Sequence, residues 1–272
     1  MFQMYLCVCN LKSAYSMKLK IITTSLLADY KTQLRSDSAQ TFHNLSESPL
    51  SADTFSFYTS VSAVFSSKIE GEPIELDSYI KHKKLGIKFL ADYTRKIDDL
   101  YAAYHFAQNN PLNPKNLAKA HQLFTKNMLA ASQRGKVRTS NMFVITDDGR
   151  IEYVAVTPDL VKIELKKLYN DVNQLIINDL SFQETCFFAS MIHLVFLKIH
   201  PFDDGNGRTA RLLEKWFLAS KLGYHAWFVQ SEKYYYQHHS QYYNYIRRLG
   251  LEYPSLDYGN ALPFLLMLPQ SF

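Results

Sequence analysis

Apolar residues recur at helical spacing along most of the chain. The repeat at three- and four-residue intervals predicts a helix over each of 53–70, 76–109, 113–132, 158–179 and 181–199. The last of these is apolar on nearly every face, as expected for a central helix contacted from most sides. A further helix is predicted over 208–222, with Gly223 directly after it as a stop, followed by two Tyr-rich helical stretches within 231–249. One segment departs from this period. Residues 141–156, NMFVITDDGRIEYVAV, hold two β-prone runs joined around Asp148 and Gly149, the pattern of a hairpin. A lone two-stranded ribbon cannot serve as a core, so it belongs on the surface as a flap or docking edge. The expected fold class is all-α with one β-hairpin.

Composition narrows the function only a little. At 272 residues, with 47% hydrophobic and 20% charged, the chain suits one sizeable globular domain with a short extension and does not resemble a disordered protein. The formal net charge of +5 is mild and no run of Lys or Arg concentrates it, so no nucleic-acid partner is expected. Cys7, Cys9 and Cys186 are too few and too uneven for a disulfide framework. Cys186 reads as a buried thiol, and Cys7 and Cys9 have no companions at metal-ligand spacing. A reducing, cytoplasmic setting is the default. No apolar run approaches the roughly 20 residues that span a bilayer, so no membrane partner is expected. Met17 opens MKLKIITTSLLA, a basic start followed by a short apolar stretch. Two readings stand there: translation starting at Met17 rather than Met1, and a secretion signal without a convincing cleavage site.

The candidate chemistry lies in residues 200–211, HPFDDGNGRTAR. Pro201 cannot continue the preceding helix, so His200 sits at a helix end facing a loop. Gly205 and Gly207 admit backbone angles closed to other residues and let a ligand approach the main chain. The loop feeds a new helix whose first amides are unpaired and whose dipole favours an anion. Asn206 adds a side-chain donor, and Arg208 and Arg211 offer paired donors for phosphate oxygens. Asp204 supplies a hard oxygen through which Mg²⁺ would bridge to phosphates. Each feature alone has a plainer reading: a helix-end His, a Gly turn, a solvated acidic loop. Together they describe a phosphate-transfer site.

This block resembles the Fic motif, which runs His-Pro-Phe, a variable residue, Asp or Glu, Gly-Asn-Gly-Arg, two residues and Arg; every defining position is filled. The resemblance covers roughly 51–249. It implies a Fic-type helical bundle with a hairpin flap, organised as an N-terminal extension (1–50), a Fic domain (51–250, with an inhibitory helix at 53–70 and the flap at 138–156) and a packed C-terminal tail (251–272). It also implies a protein adenylyltransferase that moves AMP from ATP onto a Ser, Thr or Tyr hydroxyl of an unidentified target protein, releasing pyrophosphate. His200 would be the general base, Asp204 would hold Mg²⁺, Gly205, Asn206 and Gly207 would form the anion nest, and Arg208 and Arg211 would bind the β- and γ-phosphates. Phe202 would pack under the loop. The related Doc kinases carry Lys in place of Gly207, which favours AMP transfer here. Ala210 stands where many members have Gly or Ser. A helix C-terminus favours a charged imidazolium, so the site must keep His200 neutral by other means. Self-modification and homo-oligomerisation are compatible with this reading.

Residues 66–71, SSKIEG, place Ser66 and Glu70 on one helix face, with Gly71 and Pro73 ending the helix. Glu at a helix C-terminus is misplaced by roughly 0.3–1 kcal/mol, which a solvated helix end tolerates. The segment is also similar to the family's inhibitory motif: Ser or Thr, three residues, Glu, then Gly or Asn. That similarity implies that Glu70 pairs with Arg211, fills the γ-phosphate region and leaves ATP in an unproductive pose. In some similar proteins the same glutamate positions a water that removes AMP, so a de-AMPylating or bifunctional enzyme is the alternative. A catalytically silent Fic-fold interaction module is a third reading. The stretch from Val137 to Ser140 resembles the entry to the family's flap, which would bring Met142, Phe143, Val144 and Ile145 near nucleotide and target. Residues 153–158 are a loose version of a proline-rich run. Tyr242 and Tyr243 match a paired-tyrosine position beside the nucleotide, although a Tyr-rich helix also serves packing.

Overall fold

The computed structural model describes residues 17–52, 55–89, 91–145 and 149–272. The expectations attached to Cys7 and Cys9, to a start at Met1, to the first two positions of the 53–70 helix and to Asp148 lie outside the described residues.

The bundle is built around α8 (Phe182–Ile199). Ser181 caps it, accepting from the Glu184 amide at 3.2 Å while the Glu184 carboxylate accepts from the Ser181 amide at 2.9 Å. Its Cys186, Phe187, Met191, Leu194, Val195 and Ile199 are buried. At 18 residues it is long and apolar enough to cross a membrane by length and composition, which the sequence reading did not anticipate; 78% of it is buried inside the protein. Against it pack α9 (Asn206–Leu222) and α7 (Pro158–Ile177). A second layer holds α3 (Phe57–Ile69), α5 (Ala91–Gln108), α6 (Pro114–Phe124) and α10 (Ser231–Gln237). Next in the chain comes α11 (His239–Arg247), so the Tyr-rich stretch forms two helices as expected.

Two predicted helices are shorter than their apolar repeat suggested. The span 76–109 is divided into α4 (Leu76–Leu85) and α5, because Gly86 adopts a left-handed conformation at φ +68 and ends the first. The span 113–132 stops at Phe124. There the Thr125 hydroxyl donates back to the His121 carbonyl at 2.7 Å. The chain then folds back on α6 in turns, and Gly135 approaches so closely that a Cβ would lie 2.6 Å from the Ala118 carbonyl oxygen. α9 begins two residues earlier than predicted, since the left-handed Gly205 at φ +78 already serves as its N-cap.

Before α3, residues 17–52 contribute α1 (Leu27–Gln33) and α2 (Ser38–His43), both too short for periodicity to reveal. They are held to the bundle. The buried Asp171 carboxylate on α7 accepts the backbone amides of Lys20, Ile21 and Ile22 at 2.8–2.9 Å. Tyr30 meets Phe187 edge-on at 5.4 Å, and Phe42 lies against Phe182 and Phe272, so both ends of the described chain cover α8. The C-terminal stretch adds α12 (Leu262–Leu265), with Phe264, Leu265 and Leu268 buried.

The hairpin pairs β1 (Phe143–Ile145) antiparallel to β2 (Ile151–Val154), with Val144 opposite Tyr153 and a bulge between Val144 and Ile145. Phe143, Ile145 and Ile151 are exposed, whereas Tyr153 is buried. Its inner face is pinned to α8 by the Tyr153 hydroxyl, which donates to the Lys198 carbonyl at 2.6 Å.

Candidate active site

His200 terminates α8 in a left-handed conformation, φ 52 and ψ 60, the one non-glycine residue with positive φ among the described residues. Such a conformation costs about 1–3 kcal/mol and persists only where the surroundings enforce it. Arg138 enforces it here. The guanidinium, in a residue only 2% exposed, donates to the carbonyls of His200 (2.7 Å), Ser140 (2.7 Å) and Val156 (2.5 Å), and the Arg138 amide donates to the Pro201 carbonyl at 2.9 Å. One buried arginine thus ties the loop at His200 and Pro201 to both ends of the hairpin. The His200 Nδ1–H donates to the Leu197 carbonyl at 3.2 Å, which leaves the Nε2 lone pair free. Burial pulls the imidazole down to about 4; the Leu197 carbonyl opposes this, and the Arg138 charge adds to the lowering. Burial is therefore what outweighs the helix C-terminus and keeps His200 neutral.

The loop after His200 is closed from within. The Asn206 carboxamide accepts from the Phe202 amide at 2.9 Å and donates to the Phe202 carbonyl at 2.8 Å. The Asn206 carboxamide thus shapes the turn through its oxygen and one of its two N–H donors. Phe202 packs under the loop, stacked at 3.8 Å on His121. His121 donates from Nε2 to the Asp204 carbonyl at 2.9 Å and accepts the Gly135 amide on Nδ1, also at 2.9 Å. Burial lowers its pKa to about 4, so it supports the loop as a neutral ring. A Cβ on Gly205 would come within 2.7 Å of the Phe124 ring. Asp204 is exposed, and its carboxylate accepts the Gly205 amide.

Across the loop stands the end of α3. The Arg211 guanidinium donates to the Ser66 hydroxyl (2.9 Å), the Ser66 carbonyl (3.0 Å) and the Glu70 carboxylate (2.6 Å). Glu70 lies so near the motif that a Cβ on Gly207 would be 2.5 Å from its Oε1. Burial pushes the Glu70 carboxyl up, but Arg211 and then Arg208 outweigh it and hold the group below its ordinary value. Burial likewise opposes the Arg211 charge, and Glu70 more than offsets it. Gly71, at φ +87, turns the chain away directly afterwards. Arg208 is buried nearby, 3.5 Å from the Met128 sulfur and 3.8 Å from Glu72.

These groups line a cavity of about 140 Å³. One side presents His200, Gly207, Arg211 and Glu70; the other presents Val144 from β1, Lys198, Tyr242, Tyr243 and Ile246. Of the expected flap residues, only Val144 reaches the cavity, while Phe143 and Ile145 face outward. The Tyr242 hydroxyl accepts from Arg211 at 3.4 Å and donates to His193 Nε2 at 3.0 Å, and His193 Nδ1 donates to the Glu214 carboxylate at 2.8 Å. Tyr242 therefore packs and contacts the site at once. His121, Arg138, His193 and Glu214 escaped the sequence reading, since a lone His or Glu on a helix carries no local signal. Arg138 alone lay in a stretch already singled out. A larger groove of about 490 Å³, between Glu47, Tyr101 and His105, lies apart from these groups.

A neutral histidine, a glycine at a helix start and the buried Arg211 share one cavity, with the buried Arg208 beside it, an arrangement on a helical bundle that suits a phosphate group. Comparison with known proteins makes this specific. Residues 111–218 match the Fic/DOC family model. The chain contains a Fic/DOC-family domain. A segment of 84 residues, 30% of this chain, is 36% identical to protein adenylyltransferase fic-1 of Caenorhabditis elegans, and one of 60 residues is 42% identical to protein adenylyltransferase Fic of Aedes aegypti. These matches span only 14% and 11% of those relatives. The fold is similar to that of a Fic family protein from Desulfovibrio desulfuricans, with a TM-score of 0.73 at 17% identity, covering 94% of this chain and 75% of that one. It is similar also to Fic-1 of C. elegans, with a TM-score of 0.63 at 18% identity, covering 90% of this chain and 68% of that one.

Proposed function

We propose that the chain is an autoinhibited protein adenylyltransferase that moves AMP from ATP to a hydroxyl side chain of a protein. The observation that carries this is the Glu70 carboxylate, held by Arg211 at 2.6 Å over Gly207 in the cavity that also contains His200. Adenylyl transfer needs positioning and charge neutralisation more than covalent help. His200 Nε2 takes the proton of the target hydroxyl, whose oxygen bonds to the α-phosphorus. The bond to the bridging oxygen breaks, and pyrophosphate leaves with its charge balanced by Arg208, Arg211 and the first amides of α9. Among the described residues no cluster of three or more His, Cys, Asp or Glu would hold a metal unaided. Mg²⁺ is commonly held by one or two carboxylates together with substrate phosphates, and the exposed Asp204 carboxylate fits that donor set. When bound, the ion supplies charge neutralisation at the phosphates.

In this reading Glu70 occupies the Arg211 donors that a γ-phosphate would use. One charge-assisted hydrogen bond contributes about 1.5–3 kcal/mol, equivalent to about 10–100-fold. Glu70→Gly is thus expected to raise α-³²P transfer from ATP and Mg²⁺ onto protein about 10–100-fold, read by autoradiography. No α-label from either form would sink the proposal, and label from γ-³²P-ATP instead would mark a kinase. The ionised Glu70, facing the same cavity as His200, also suits orienting a water toward an AMP-modified target. Glu70→Gly would then abolish AMP removal.

The state of His200 sets the pH dependence. Its imidazole loses its proton above about 4, and removing Glu70, which raises that value, lowers it further. The rate of AMP transfer by Glu70→Gly is therefore expected to stay level between about pH 8 and 5.5. A histidine at its ordinary pKa of about 6.5 would lose about tenfold over that range. A single-turnover pH profile distinguishes the two.

A further inference from the structure

Lys198 lies two residues before His200, is 2% exposed and lines the cavity. Its ammonium stands 4.0 Å over the Tyr153 ring. Among the described residues it has no hydrogen-bond acceptor and no carboxylate at ion-pair distance. A buried charge without an acceptor is costly, and the face of Tyr153 offsets only part of that cost. The Tyr153 hydroxyl is itself tied to the Lys198 carbonyl at 2.6 Å, so ring and lysine hold each other in place. Burial draws the Lys198 amine down to about 8, with Glu152 opposing.

The surroundings say what the ammonium awaits. Phosphate is already served by Arg208, Arg211 and the start of α9. The wall near Lys198 is different: Val144 pairs with Tyr153 in the hairpin, and Ile246 and Tyr243 face them from α11. Apolar and aromatic walls of this kind suit a flat base. Glu152 lies in the same wall, ion-paired through one oxygen to Arg247.

We propose that Lys198 reads the base of the nucleotide, its ammonium donating to a ring nitrogen of adenine while Glu152 faces the neighbouring exocyclic amine. A donor beside an acceptor matches adenine N1 or N7 next to N6. This rests on the adenylyl-transfer reading and makes Lys198 a determinant of which nucleotide that site accepts.

The test measures the affinity of the Glu70→Gly chain for ATP, 1-deaza-ATP and 7-deaza-ATP by calorimetry. One deaza analogue is expected to bind about 10–100-fold more weakly than ATP, the range for a hydrogen bond from a charged donor. Adding Lys198→Met should weaken ATP by a similar factor and erase the difference from that analogue. Lys198→Gln, which keeps an N–H donor, should restore part of the preference. Equal affinities for ATP and both analogues in the chain with Lys198 intact would overturn the inference, whether or not the variants fold. So would a Lys198→Met chain that keeps the preference, or one that loses tripolyphosphate as strongly as ATP, which would assign Lys198 to the phosphates. A chain that binds no nucleoside triphosphate would overturn the adenylyl-transfer reading itself, and this inference with it.

Discussion

Replacing His200 by Ala in the Glu70→Gly background is expected to lower AMP transfer about 10²–10⁴-fold, the range for loss of a positioned general base. Three features make His200 the proposed base. Its Nδ1 is committed to the Leu197 carbonyl, its Nε2 lone pair is free, and burial keeps the ring neutral. Its strained backbone is held by Arg138 from outside the ring, so the truncation removes the imidazole without removing the restraint on the loop. ATP affinity should therefore change little while the transfer rate collapses. Single-turnover rates at saturating ATP, with a parallel binding isotherm, separate these effects. A loss confined to affinity would mean that His200 positions nucleotide and takes no proton.

Lys215→Met is expected to destabilise the fold by about 3–5 kcal/mol, the range for removing one partner of a buried ion pair. Lys215 on α9 and Glu232 on α10 are both fully buried and pair at 2.6 Å. Lys215 also donates to the Ser62 hydroxyl on α3 and the Val229 carbonyl, and Glu232 accepts from Tyr104 on α5 at 2.8 Å. Met fills similar volume but leaves the Glu232 carboxylate charged, buried and short of its main partner. Urea unfolding should show the loss as a lower midpoint, and Lys215→Met with Glu232→Leu should recover most of it because no lone charge is left. Unchanged stability in the single variant would mean that Glu232 takes up a proton or reaches solvent at little cost. The same network joins α3, which carries Ser66 and is capped by Glu70, to α9, which carries Arg211. The single variant should therefore also loosen the Glu70–Arg211 contact and raise basal AMP transfer.

Helix existence was legible from periodicity wherever the apolar stripe was long, as in α7, α8 and α9. Where a helix stopped was not, since the ends of α4 and α6 depend on a left-handed Gly86 and on Gly135 folding back against Ala118. Helices as short as α1 and α2 present too few turns for a stripe to register, and tertiary contacts with Phe187, Phe182 and Asp171 hold them. Residues 200–211 could be read as one site because loop, nest and arginines are contiguous, so local geometry follows from local residue types. The nearness of Glu70 to Gly207 and Arg211, implied in sequence only through resemblance, is a contact across 141 residues that helix packing alone creates. Asn206 shows the limit in the other direction: its residue type offered donors, and only the fold shows that its oxygen and one N–H close the loop on Phe202. The sequence by itself determined the residue types of the chemistry and the order of the helices. Which His is neutral, which Arg meets Glu70 and which Lys has no acceptor among the described residues were decided by burial, and burial depends on what the whole chain places around each group.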